Sequence, residues 1–212
     1  MAGEKLHLRP RSDRQPGGRA PAPGGLGPVQ AFINTHYDLG HDHGAEVLST
    51  PGALGRWLAA RGLLTGAARL GDRDLRRALA ARESLRELAR TNPRASGVGV
   101  PGPATGRECA RAALNEASAG AIVTLAFTPE GPRYLAPADA GLDGALGALL
   151  AGAAQAMLDG RWDRLKICPG GDCGWAFYDH SRNQAGRWCS MSVCGGRAKA
   201  RRHYERRQVE ER

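Results

Sequence analysis

Four cysteines near the C-terminal end, Cys168, Cys173, Cys189 and Cys194, form two pairs of the same C-x4-C spacing, fifteen residues apart. A thiolate is a soft donor, and two close pairs joined by such a spacer bring four of them around one tetrahedral Zn²⁺ ion. Each pair grips the metal from one tight turn, and the spacer is expected to run out and back as two short strands. Cys168-Pro-Gly-Gly-Asp-Cys173 carries the glycines that let backbone amides turn toward sulfur, and Gly174 follows for the same reason. Four sulfur ligands leave no position for water or substrate, so the expected cofactor is one structural zinc ion. Cys109 stands apart, in a helical pattern with Ala113 and Ala117, and reads as a small core residue.

A strongly basic segment, RAKARRHYERRQVEER, follows the last cysteine. The chain carries a formal net charge of +9, and eleven of its basic but only five of its acidic residues lie in residues 164–212. Such a balance favours an anionic partner. Only Lys5, Lys166 and Lys199 are lysines, so the position of the charge is more informative than its chemical type. A helix from about Arg197 would be basic around its whole circumference, with Ala200 and Tyr204 as a narrow apolar strip to dock on the hairpin. Arg197, Lys199, Arg201, Arg202, Arg206 and Arg207 are the candidate nucleic-acid contacts, to phosphates first and, from Arg197 or Lys199, to a base edge. Lys166, Arg187 and Arg197 are placed to offset the formal charge of −2 on a four-thiolate zinc site. An RNA reading would instead use Trp175, Tyr178 or Trp188 as stacking platforms, which requires those rings to be exposed. A third possibility is a zinc-stabilised surface that binds another protein without touching DNA.

Residues 36–43 gather His36, His41 and His43 with Asp38 and Asp42. They read as a polar surface loop; the alternative is a second metal site or a small-molecule effector pocket formed by Asn34, Thr35 and His36. The chain holds no G-x-S-x-G elbow and no G-x-x-x-x-G-K loop, and Gly97 to Gly102 reads as a plain connector. No enzymatic activity is expected.

These groups need elements to hold them. Residues 1–28, rich in Gly, Pro and Arg, are expected to be disordered. Residues 29–160 read as a mostly helical α+β domain with a small antiparallel sheet, and residues 161–212 as the zinc hairpin with its basic helix. Thr50-Pro51 caps a helix whose Leu54, Trp57 and Leu58 face inward. Asp72 caps a helix over residues 73–91 with Leu75, Ala78, Leu79, Leu85 and Leu88 as its inner stripe. A further helix spans residues 106–119. Val123, Leu125 and Phe127 share one face of a strand over residues 121–128, which turns at residues 129–132 and returns. The last helix of the domain spans residues 140–159. Its apolar stretch carries Asp143 and Gln155 and reads as too weak and short to span a membrane. The N-terminal residues lack the apolar run of a secretory signal, and a cytoplasmic location is expected, where paired cysteines favour metal over disulfides.

The C-terminal residues resemble the CGNR-type zinc finger. Phe177, Asp179, Ser181, Arg182 and Asn183 match its F-x-D-x-S-R-N phrase, Arg187 to Met191 match R-W-C-S-M, and Cys194, Gly195, Arg197 and Lys199 match C-G-N-R-x-K. Gly196 stands where the family has Asn. Phe32-Ile33-Asn34-Thr35, the Leu-rich helix ending in Trp57-Leu58 and the helix order resemble the ABATE domain that precedes this finger. The resemblance covers about residues 29–208. It implies a stress-responsive bacterial transcription regulator that binds DNA, with a sensing or dimerising N-terminal domain.

Overall fold

The computed structural model describes residues 15–37, 46–65, 69–92, 104–129, 131–135, 140–171 and 173–210. His41, His43 and the Gly97 to Gly102 connector lie outside them. The helices are α1 (Leu26–Ile33), α2 (Pro51–Ala59), α3 (Asp72–Arg90), α4 (Ala104–Ala117), α5 (Gly141–Leu158) and α6 (Gly196–Glu210). The strands are β1 (Thr124–Thr128), β2 (Gly131–Leu135), β3 (Leu165–Ile167) and β4 (Ala176–Tyr178), in two antiparallel pairs, β1 with β2 and β3 with β4. The fold is α+β and mainly helical, with the cysteines beside the second pair.

Local chemistry sets the helix starts. The Thr50 hydroxyl accepts from the Ala53 amide at 3.1 Å, and Pro51 fills the position where no amide is needed. The cap of α3 is Gly71, one residue before the expected Asp72, and its amide donates to the Asp74 carboxylate at 2.9 Å. Leu54, Trp57 and Leu58 of α2 are buried, as are Ala78, Ala81, Leu85 and Leu88 of α3. α3 packs on α4 and α1 on α5. By length and mean hydropathy (1.3), α5 would suffice to cross a membrane, beyond what the sequence suggested. Its Leu142, Ala145, Leu146, Leu149 and Ala153 are packed in the core, so the protein interior accounts for that composition.

Two expectations are corrected. Residues 15–28 are not outside the fold: Leu26 opens α1 fully buried, Ala22 is buried, and the Ala22 amide donates to the Gln30 side chain at 2.7 Å. Polar contacts with distant segments hold this stretch, and no apolar pattern announces them. Cys109 is exposed, because the buried positions of α4 are Ala110 and Ala117. Val123, just before β1, and Leu125 and Phe127 within it are all exposed, Phe127 to 82%, so the face they share is uncovered.

The largest difference concerns the partition between body and finger. Strand side chains alternate, and β3 and β4 use both faces. Leu165, Ile167, Ala176 and Tyr178 belong to the main core, whereas Phe177 packs with Trp175, Trp188 and the cysteines. The finger therefore shares a wall with the domain before it.

Candidate metal centre

Of the two strands expected in the spacer between the cysteine pairs, only β4 lies there; its partner, β3, precedes Cys168. β3 and β4 flank the first pair, so Cys168 to Cys173 forms the tip of their hairpin. The Cys168 amide donates to the Trp175 carbonyl at 2.8 Å and the Cys173 amide to the Gly170 carbonyl at 2.7 Å, which closes the knuckle. A Cβ on Gly170 would stand 3.2 Å from the Cys194 sulfur, and Gly174 has φ +58°, so both positions favour glycine. The second pair sits on a wide turn, Met191–Gly195, that leads directly into α6. Ser190 caps that turn, its hydroxyl accepting from the Val193 amide at 3.3 Å.

The four sulfur atoms lie within 4.8 Å of one another. Cys173 and Cys189 are 3.7 Å apart, and Cys189 and Cys194 3.6 Å. A Zn–S bond of about 2.3 Å sets the edge of a regular tetrahedron at about 3.8 Å, so the donor set fits zinc. Their ionisation is set by mutual contact. Hydrogen bonds from the Cys173 and Cys189 thiols hold Cys168 down at about 2. Its thiolate pushes Cys173 up to about 12 and raises Cys189 as well. Burial raises Cys194. A divalent cation is the group that lets all four ionise together. Once bound, zinc supplies a cross-link rather than a reactive position, and Cys168, Cys173, Cys189 and Cys194 hold it.

Lys166 is not a counter-charge to the thiolates. It is buried, and its Nζ donates to the buried Asp179 carboxylate at 2.7 Å and to the Gln184 carbonyl at 2.5 Å. Asp179 also accepts from the Ser181 amide and hydroxyl and from the Gly186 amide. One buried carboxylate thus organises the loop that carries Trp188 and Cys189 into place, which explains why Asp179 and Ser181 occur together. Burial opposes ionisation of Asp179, but Lys166 and these donors outweigh it and hold its pKa at about 2. An unfolded aspartate titrates near 3.9. The contribution of Asp179 is therefore complete above roughly pH 4 and lost as pH falls toward 2. Asp179→Asn is expected to destabilise the protein at pH 7 by about 3 kcal/mol, because it leaves the Lys166 charge buried without a counter-charge. Urea titrations should show the gap between the two proteins closing below pH 4.

The rings proposed as stacking platforms are buried: Trp175 is 6% exposed, Tyr178 5% and Trp188 9%. The RNA-stacking alternative is removed. Ala198, rather than Ala200 or Tyr204, packs α6 onto the cysteine cluster; Tyr204 is 65% exposed. Arg197, Lys199, Arg201, Arg202, Arg206 and Arg207 are all exposed. Arg187, whose guanidinium lies 4.9 Å from the Trp188 ring centroid, joins Arg197, Arg201 and Arg202 around a cavity of about 710 Å³ beside the knuckle.

Asn34 and Thr35 are buried with their polar atoms engaged inside the protein. The Ala176 amide donates to Asn34 Oδ1 at 2.7 Å, and Asn34 Nδ2 donates back to the Ala176 carbonyl at 2.9 Å. Asn34 thus takes the place of a neighbouring strand along β4. Thr35 Oγ1 donates to the Phe32 carbonyl and accepts from Arg82. His36 forms a bridge with Glu46 and lies 3.6 Å from the Glu83 carboxylate.

Two arginines of α3 were missed. Arg82 is buried and forms a double contact with Glu46, at 2.8 and 2.7 Å. Arg86, also buried, donates to the carbonyls of Ile33 (2.7 Å), His36 (2.6 Å) and Gly174, and to Glu83 (2.8 Å). The signal was positional: Ala78, Arg82, Arg86 and Ala89 lie at helical spacing on the inward stripe.

This is a structural zinc centre carried on a helical α+β domain. The family model "ABATE: Putative stress-induced transcription regulator" matches residues 26–161, and "CGNR zinc finger" matches residues 164–207. The chain belongs to the ABATE family and ends in a CGNR zinc finger. Neither description is that of an enzyme. No curated protein matches the chain.

Proposed function

We propose that this chain is a zinc-dependent DNA-binding regulator of transcription, working in the bacterial cytoplasm without catalytic activity. The observation that carries the proposal is the placement of α6. It leaves the turn of Cys194, is anchored to the cluster through Ala198, and turns its arginines outward. An interior role would require an apolar face, which α6 does not have. Arg201, Arg202, Arg206 and Arg207 meet phosphates, Arg197 or Lys199 reaches a base edge, and Arg187 extends the cationic surface onto the finger loop. The N-terminal domain adjusts affinity through a small-molecule effector or a second subunit; Asn34 and Thr35 are structural in this reading.

If about five phosphate contacts form, log affinity should fall against log salt with a slope of about −4 to −5. Replacing Arg201 and Arg202 together by alanine should leave zinc bound and bring the slope to about −3. Fluorescence anisotropy with duplex DNA across a salt series measures both. A slope near zero for the wild type would remove the proposal.

A second reading, a protein-binding module without direct DNA contact, is favoured by the uncovered β1 face around Leu125 and Phe127. Phe127→Asp should then abolish partner binding or dimerisation. It would leave DNA affinity per chain unchanged under the first reading.

A further inference from the structure

We infer that residues 15–21, upstream of both matched family regions, are a working part of the metal module, with Arg19 as the positioning residue for Cys189. The Arg19 guanidinium donates from Nε to the Cys189 carbonyl at 2.9 Å and from Nη2 to the Trp188 carbonyl at 3.0 Å. Its Cζ lies over the Phe177 ring, 5.0 Å from the centroid. A planar fork matches two successive carbonyls in a way that an ammonium does not. It fixes the peptide that carries a zinc ligand, just where the finger has no strand to do so. Groups that orient a metal ligand also tune the affinity of the site, by about 10- to 100-fold.

The rest of the segment supports this placement. Gln15 Oε1 accepts from the Trp175 indole at 3.2 Å and from Gln30 Nε2 at 2.8 Å, joining the first knuckle to α1. Gly17 lies against Ser190, which caps the turn carrying Cys194; a Cβ on that glycine would stand 3.2 Å from the Ser190 hydroxyl. The His180 ring nitrogen lies 3.2 Å from the carbonyls of both Ala20 and Pro21. The segment thus touches both knuckles and the loop between them. It closes a module whose ligands begin about 150 residues later in the chain.

The inference rests on the metal centre and not on nucleic-acid binding, so the two can fail separately. The test measures zinc affinity by competition with a chromogenic chelator, and the thiolate-to-metal bands of the Co²⁺-substituted protein, in the full-length chain. Arg19→Ala is expected to weaken zinc binding about 10- to 100-fold and to shift the Co²⁺ bands. Arg19→Lys, which keeps the charge but loses the planar fork, should recover part of the loss. Removal of residues 1–14 should change neither, whereas removal of residues 1–19 should reproduce Arg19→Ala. Should Arg19→Ala fail to fold, Arg19→Gln and Arg19→Lys carry the same measurement. Wild-type zinc affinity and an unshifted Co²⁺ spectrum in Arg19→Ala, or in that substitute pair, would overturn the inference.

Discussion

Cys173→Ser is expected to reduce bound zinc from one ion per chain to almost none after dialysis against a chelator. Zinc binding by a small four-ligand module is worth about 10–16 kcal/mol at neutral pH, and a neutral hydroxyl does not replace a thiolate donor. The structural consequence should be selective. Residues 168–171, 173–175 and 180–195 pack only in the small cluster around Trp175, Phe177 and Trp188 and in a few polar contacts, so without zinc they should open to protease, and α6 should lose its fixed direction. β3 and β4 should stay with the body. Leu165, Ile167, Ala176 and Tyr178 are part of its core, Asn34 pairs with Ala176, and Arg86 grips the Gly174 carbonyl. Mass-mapped limited proteolysis should show new cuts after Arg182 or Arg187, with Arg164 and Lys166 still protected. Zinc content equal to the wild type would show that the ligand set is wrong. A cut at Lys166 would show that the shared core does not hold the strands.

Arg86→Met should produce the second large effect, a loss of about 3–5 kcal/mol in unfolding free energy. Methionine keeps most of the side-chain volume but stops short of the guanidinium, so packing loses little. The electrostatics are another matter. The guanidinium serves three carbonyls, those of Ile33, His36 and Gly174, and it also meets the Glu83 carboxylate. Carbonyls cannot be removed by a compensating mutation, and each one left buried without a donor costs about 1–3 kcal/mol. The three belong to the end of α1, to the residue that opens the His36–Glu46 bridge, and to the finger just after Cys173. One substitution therefore loosens both the body and its join to the finger. Denaturant titration of zinc-loaded protein measures the first effect, and the rate of zinc transfer to a chelator, expected to rise, measures the second. An Arg86→Met protein as stable as the wild type would mean that water replaces the arginine at those carbonyls, and that the join does not depend on it.

Together these results would locate the coupling between the N-terminal domain and the finger. Gln30, Asn34, Arg86 and Asn92 each direct a side chain at the backbone of residues 162–176. A change in α1 or α3 on effector binding would reach the zinc knuckle through these hydrogen bonds before it reached α6. Under the proposed function, that is the path by which the domain would adjust DNA affinity.

The sequence by itself determined the parts whose chemistry is local. Four sulfur donors at fixed spacing, the glycines between them, the Thr50-Pro51 cap and the apolar stripes of α2, α3 and α5 could each be read from neighbours a few residues apart. The basic character of α6 was equally plain, since charge needs no partner to be counted. Tertiary structure alone decided how the finger sits on the body. Period-two alternation in β4 says that its residues face two ways, but not that one face belongs to a different core. Arg82, Arg86 and Arg19 carried no signal in their side-chain type and Asn34 read as a pocket residue, because a polar side chain becomes interior only when distant groups come to meet it. A hydrogen bond between residues 170 positions apart leaves no periodic mark in the chain. Folding creates such contacts, and the geometry of the folded state is where their energy resides.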